Sequence, residues 1–161
     1  MKQLFLVRHG KSDWNHNVTD HQRPVKKRAY HDAEMVANAL QKAVSCQFPI
    51  YSSTAKRAHT TAELLQGHLK EQITELKTFD DLYVFNSQDL MDFIHKLPDE
   101  EEQVMLVSHN GGLTDLINEI SDATLDNLPT TGLALIKFEV DNWASVKEGK
   151  LILHLFPKNL R

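Results

Sequence analysis

Two short apolar runs, about a hundred residues apart, end in the same way and restrict the fold more than any other feature. Gln3 to Val7 reads QLFLV and stops at Arg8, His9 and Gly10. Val104 to Val107 reads VMLV and stops at Ser108, His109, Asn110, Gly111 and Gly112. Both runs consist of strand formers without polar alternation, which is how a strand buried on both faces reads. A buried strand that hands over to a polar, glycine-containing turn belongs to α/β architectures.

The segments between the two runs alternate in kind. Asp32 to Val44 is predicted helical, with Val36, Leu40, Ala43 and Val44 on one stripe. Phe48 to Tyr51 is a short strand with Pro49 near its start, and Ser52 to Thr54 offers capping hydroxyls for a helix over Ala55 to His68. Ile73 and Leu76 mark a third short strand. Gln88 to Leu97 reads as a helix with Ser87 as its cap and Pro98 as its stop, and Leu113 to Ile120 as another. Leu133 to Val140 and Leu151 to Phe156 are strands joined by DNWASVKEGK, which has turn composition. This alternation predicts an α/β fold, a three-layer α/β/α sandwich around a mostly parallel sheet. The last two strands lack an intervening helix, so an antiparallel edge is expected. No repeat or linker divides the chain, and one domain over residues 1–161 is the expectation. Gly10 to Tyr30 is polar and aperiodic, and a loop of that length in a compact domain usually has a task.

Composition narrows the function classes. Eighteen basic residues against 22 acidic ones give a formal charge of -4, which disfavours bulk binding to nucleic acid or an anionic membrane. A single cysteine, Cys46, leaves no internal disulfide and points to a reducing compartment. The apolar start is too short for a signal peptide or a membrane span, so cytoplasm is the expected location.

In open α/β sheets ligands sit beyond the carboxyl ends of parallel strands. His9 and His109 each stand where a strand meets a polar turn, and the glycines after them would let backbone approach a bound group. In YSSTAKRAHT, Arg57 falls in the first turns of a helix, a position suited to anions, and its guanidinium offers a fixed fork of donors. Arg8, His9, Arg57 and His109 therefore suggest a pocket for a phosphoryl group. Arginines would offset the charge on its oxygens while an unprotonated imidazole attacks phosphorus in line.

These residues carry a family resemblance. LVRHGKSDWN (Leu6 to Asn15), YSSTAKRAHTTAELL (Tyr51 to Leu65) and VMLVSHNGGLTDLI (Val104 to Ile117) resemble, in order, the signature segments of the histidine phosphatase superfamily, which includes the phosphoglycerate mutases. DHQRPVKKRAYHDAEMVANAL, DDLY and LPTTGLALIKF resemble more narrowly its short bacterial phosphohistidine phosphatase branch. The resemblance implies a phosphoglycerate mutase-like fold without a large cap. It also implies His9 as the nucleophile that becomes phosphorylated, Arg8 and Arg57 as phosphate ligands, and His109 as the second histidine. Asn15 and Arg23 become candidate substrate contacts, whereas Trp14 is expected to be structural. Where relatives carry an acidic glutamate after the third strand, this chain reads TFDDLYVF, leaving Asp81 or Asp80 as candidate general acid, with Asp13 a further carboxylate near the first motif.

That gap bears on substrate. An alkoxide leaves badly without an acid. A phosphorylated imidazole can be protonated on its other nitrogen before the P–N bond breaks. Phosphohistidine on a protein is thus the favoured substrate, with a small or promiscuous phosphomonoester and a noncatalytic phosphate-binding module as alternatives. No cofactor is expected. There is no HExxH and no cysteine cluster, and arginines beside His9 and His109 would repel a divalent ion. His16, His21 and His31 have no ligand spacing.

Overall fold

β1 (Lys2–Arg8) lies at the heart of a six-stranded sheet of order β3-β2-β4-β1-β5-β6. The computed structural model describes all residues, Met1–Arg161. In chain order the elements after β1 are α1 (Arg28–Ala43), β2 (Phe48–Ser53), α2 (Lys56–His68), β3 (Ile73–Phe79), α3 (Ser87–His95), β4 (Gln103–Ser108), α4 (Gly112–Ile120), β5 (Leu133–Phe138), β6 (Lys150–Leu155) and α5 (Pro157–Leu160). β1, β2, β3 and β4 are mutually parallel, while β5 runs antiparallel to both β1 and β6. The helix-free link thus makes its antiparallel pair at the predicted edge.

The unbroken apolar character of β1 and β4 has a direct cause, since helices cover both faces. Leu4, Leu6, Val104 and Leu106 pack with Leu90, Ile94, Leu113, Leu116 and Ile117 of α3 and α4. Their strand neighbours Phe5, Val7, Met105 and Val107 point the other way, toward Val36, Leu40, Ala58, Ala62 and Leu65 of α1 and α2. No helix is long and apolar enough to cross a membrane.

Several boundaries differ from those read in the sequence. α1 begins at Arg28 rather than Asp32, because the inner residue of its first turn is Ala29, buried but too small to register in a hydrophobic pattern. β2 runs through Pro49, and its pairing with β3 slips between Phe48 and Ile50 there. Asn86, not Ser87, caps α3 by accepting from the Asp89 amide at 2.9 Å. The DNWASVKEGK segment is more than a turn. Trp143 is fully buried in it, and its indole N–H donates to the Glu101 carbonyl at 2.8 Å. The long Gly10–Tyr30 segment folds back through a Ser12–Val25 bridge and a single 3₁₀ turn at Asp20–Gln22.

Candidate active site

β1 and β4 are parallel neighbours in register, with Val7 opposite Val107 and Arg8 opposite Ser108. The chain therefore leaves both strands at the same level, and the His9 amide donates to the Ser108 carbonyl at 3.3 Å. The imidazoles of His9 and His109 consequently lie 5.2 Å apart, centre to centre. They share a cleft of about 220 Å³ with Arg8, Arg57, Arg23, Lys11, Ser12, Trp14, Asp20, Phe85, Asn110 and Thr130. The four residues singled out at the strand ends and on α2 are thus brought together.

The tautomer of His9 follows from its partners. A carbonyl can only accept, so Nδ1–H donates to the Gly10 carbonyl at 2.7 Å. Nε2 then carries the lone pair and accepts from Arg57 Nε at 3.3 Å. Burial, reinforced by the charges of Arg57, Arg8 and Arg23, pulls the His9 pKa down to about 4 against the opposing Gly10 hydrogen bond. At neutral pH the ring is an uncharged base. His109 is pushed down to about 3, chiefly by burial and then by His9 and Arg57. Its Nε2 is 2.8 Å from the Ser53 hydroxyl, while its Nδ1 is buried with no partner. A phosphoryl oxygen would satisfy that orphaned nitrogen if Ser53 donates and Nδ1 keeps the hydrogen.

Arg57 is buried at the start of α2 and is held on three sides. Besides His9, it donates to the Asp20 carbonyl at 2.6 Å and to Asp20 Oδ2 at 3.0 Å. Arg8 ends β1 and donates to the Leu128 carbonyl at 3.0 Å, leaving its Nε buried without a partner. Thr131 braces the end of β1, its amide donating to the Arg8 carbonyl at 2.9 Å from a left-handed backbone at φ 58°.

Asp20 was not singled out in the sequence, yet it is the one carboxylate lining the cleft. It accepts from Arg57, from Arg23 at 2.7 Å and from the Tyr83 hydroxyl at 2.5 Å. Burial alone would raise its pKa, but these hydrogen bonds and the Arg57 charge hold it well below the usual carboxylate range. The available signal was the i, i+3 spacing of Asp20 and Arg23 inside a polar loop of suspicious length. No local pattern assigns Tyr83 or Phe85 to the cleft, since only folding carries their loop beside His109, at ring separations of 5.4 Å and 4.9 Å.

Other expectations need correction. Asp80 and Asp81 do not line the cleft; both face a separate hollow with Asp89, Asp92 and Lys96. Asp80 instead accepts from the Thr54 hydroxyl at 2.6 Å, and Thr54 in turn accepts from His21 Nε2 at 2.9 Å. That chain ties the loop after β3 to the 3₁₀ turn. Asp13 is likewise outside the cleft, bonding the Asn15 amide at 3.0 Å and His16 at 3.3 Å. Asn15 is exposed and does not line the cleft, whereas Arg23 does. Trp14 is no buried support; it is 72% exposed, with the Arg23 guanidinium over its ring at 3.5 Å. Gly10 and Gly112 serve chain packing. A Cβ on Gly10 would lie 2.5 Å from the Ala29 Cβ, and one on Gly112 would lie 2.9 Å from Asn86 backbone.

Fold and cleft together define a class. The chain belongs to the histidine phosphatase superfamily, branch 1, whose family model matches residues 4–92. Among solved structures it is similar to the protein histidine phosphatase SixA complexed with tungstate, with a TM-score of 0.80, 20% identity and 99% of each chain covered. It is similar also to a candidate phosphohistidine phosphatase SixA of Agrobacterium tumefaciens, with a TM-score of 0.78, 26% identity and 97% of this chain and 98% of that one covered. An uncharacterized chloroplastic protein of Arabidopsis thaliana is 26% identical over 151 residues, 88% of this chain and 69% of that protein.

Proposed function

We propose that the protein is a metal-independent phosphatase that hydrolyses phosphohistidine carried on a protein, through a phosphoenzyme on His9. The observation that carries this reading is the fixed His9 ring, with Nδ1–H bound to the Gly10 carbonyl and the Nε2 lone pair in a cleft lined by three arginines. In the first step Arg57 turns its Nε–H from His9 Nε2 to a phosphoryl oxygen, the freed Nε2 lone pair attacks phosphorus, its N–P bond forms, and the substrate's P–N bond breaks with its electron pair leaving on the imidazole. Arg8, Arg57 and the orphaned His109 nitrogen meet the charge on the equatorial oxygens. In the second step water attacks phosphorus, releasing inorganic phosphate and restoring His9. The two arginines do the electrostatic work that a metal does elsewhere.

The leaving group decides between substrates. Asp20, the one carboxylate at the cleft, is held ionised by its three donors and so has no proton to give an alkoxide. An imidazole protonated on its distal nitrogen leaves without that help. The resemblance to SixA structures points the same way. Between Tyr83 and Val104 stand only α3 and its loops, so we read the chain as one domain without a large cap, open to a side chain borne by another protein. With Cys46 unpaired, a reducing cytoplasm is the setting this reading assigns it.

Rapid-quench labelling with a phosphohistidine protein tests the proposal. Wild type should accumulate an acid-labile phosphoramidate, and His9→Ala should lose label and turnover together while remaining folded. Label on serine, or undiminished label in His9→Ala, would overturn the mechanism. Arg57→Lys should cost about 10²–10³ in kcat, the scale for removing one donor aimed at developing charge. A kcat/KM no higher for phosphohistidine protein than for small phosphomonoesters would move the substrate to the latter class.

A further inference from the structure

The cleft residues divide by exposure. His9, Arg57 and His109 are buried at its floor, while Trp14 and Phe85 are 72% and 49% exposed at its mouth. The other large exposed apolar side chains, Met1, Val18, Tyr30 and Ile152, do not line it. Trp14 and Phe85 contribute to neither buried core, so packing does not explain their type. Both rings keep much of their surface open. Phe85 rests against His109 at 4.9 Å and Tyr83 at 5.5 Å. Trp14 carries the Arg23 guanidinium on one face, and its exposure leaves the other open.

In-line transfer gives this arrangement a use. With His9 approaching phosphorus from the floor, the leaving group departs from the opposite side, toward the mouth. There it meets the two exposed rings. A planar unsaturated leaving group can stack on an aromatic face, whereas a leaving amine or flexible alkoxide has no face to offer. Resting on the phosphatase reading above, we infer that Trp14 and Phe85 are specificity-determining residues that receive the imidazole ring of phosphohistidine by stacking.

Phosphoimidazole and phosphoramidate test this, since both contain a P–N bond and only one contains a ring. The readout is the ratio of their kcat/KM values in each variant, divided by the same ratio in wild type, which cancels their intrinsic reactivities. Phe85→Leu keeps apolar bulk and deletes the π face; Trp14→Leu deletes the π face at the other ring. Each should lower the ratio about three- to tenfold, the range for one aromatic pair. A ratio unchanged within about twofold in both variants overturns the inference even if overall rates fall, because a merely structural role would depress both substrates alike. Failure of the wild type to hydrolyse phosphoimidazole also overturns the inference, and failure to hydrolyse phosphohistidine protein as well would sink the phosphatase reading beneath it.

Discussion

At the cleft, one carboxylate sits among four cationic side chains, Arg8, Lys11, Arg23 and Arg57. Asp20 fixes Arg57 and Arg23 in place, yet it also repels an incoming phosphoryl dianion. Asp20→Asn keeps the shape and removes the charge. A half-exposed charge a few ångströms away, screened by solvent, is worth about three- to tenfold in anion affinity. The inhibition constant of inorganic phosphate should therefore fall by that factor while kcat also falls, as product leaves more slowly and Arg57 is less firmly held. Steady-state kinetics with phosphate as product inhibitor checks both, and an unchanged inhibition constant would remove the electrostatic role. The histidines supply a second test. His9 and His109 titrate near 4 and 3 in the folded protein, against about 6.5 when unfolded. Between these values the unfolded chain binds more protons, so this contribution to stability is intact above pH 6.5 and is lost as pH falls toward 4 and then 3. Urea titrations across pH 7 to 4 should show that loss in wild type and a shallower one in a His9→Gln/His109→Gln variant.

The site is assembled where elements touch. The first residue of α4 abuts the backbone of the α3 cap, because a Cβ on Gly112 would come within 2.9 Å of Asn86 N, C and O. That contact positions the loop bearing Tyr83 and Phe85 over His109. Gly112→Ala should cost about 1–3 kcal/mol, the range for overpacking, and should lower kcat/KM through the displaced loop. Gly111 has nothing within 4 Å of its would-be Cβ. Gly111→Ala should therefore stay within about 0.5 kcal/mol of wild type. Denaturation and kinetics on both variants separate close packing from a general need for glycine in the turn.

Across the whole molecule, two cores share one sheet. Leu106 faces the α3 and α4 side and Val107 the α1 and α2 side, as adjacent residues of β4. Loosening either core should loosen the strand that both use. Leu106→Ala is expected to cost about 2–5 kcal/mol. Unfolding followed by Trp143 fluorescence in a Trp14→Phe background, which reports one core, should coincide with exposure of Cys46, which packs against the other. Separated transitions would show that the two faces are independent units.

The sequence by itself determined the strands buried on both faces and the order of elements, and it marked Arg8, His9, Arg57 and His109 as chemistry-bearing side chains at their ends. Each of these is a local matter: an apolar run long enough to be a strand, then a polar turn, with chemistry-bearing side chains at the junction. Arg57 could be recognised because it opens a helix directly after a strand. What only the tertiary structure decided is which remote groups join them. Parallel register between β1 and β4 sets the histidines 5.2 Å apart, and no pattern in either run specifies that pairing. Asp20, Tyr83 and Phe85 sit in aperiodic loops, where side-chain direction depends on the surface the loop lies against. The same freedom turned Asp80 and Asp81 away from the cleft: their acidic character was visible, but Asp80 is anchored to Thr54 and the 3₁₀ turn brought a different carboxylate to the arginines. Periodicity encodes burial along one element, and contacts between loops depend on how the whole sheet is wound.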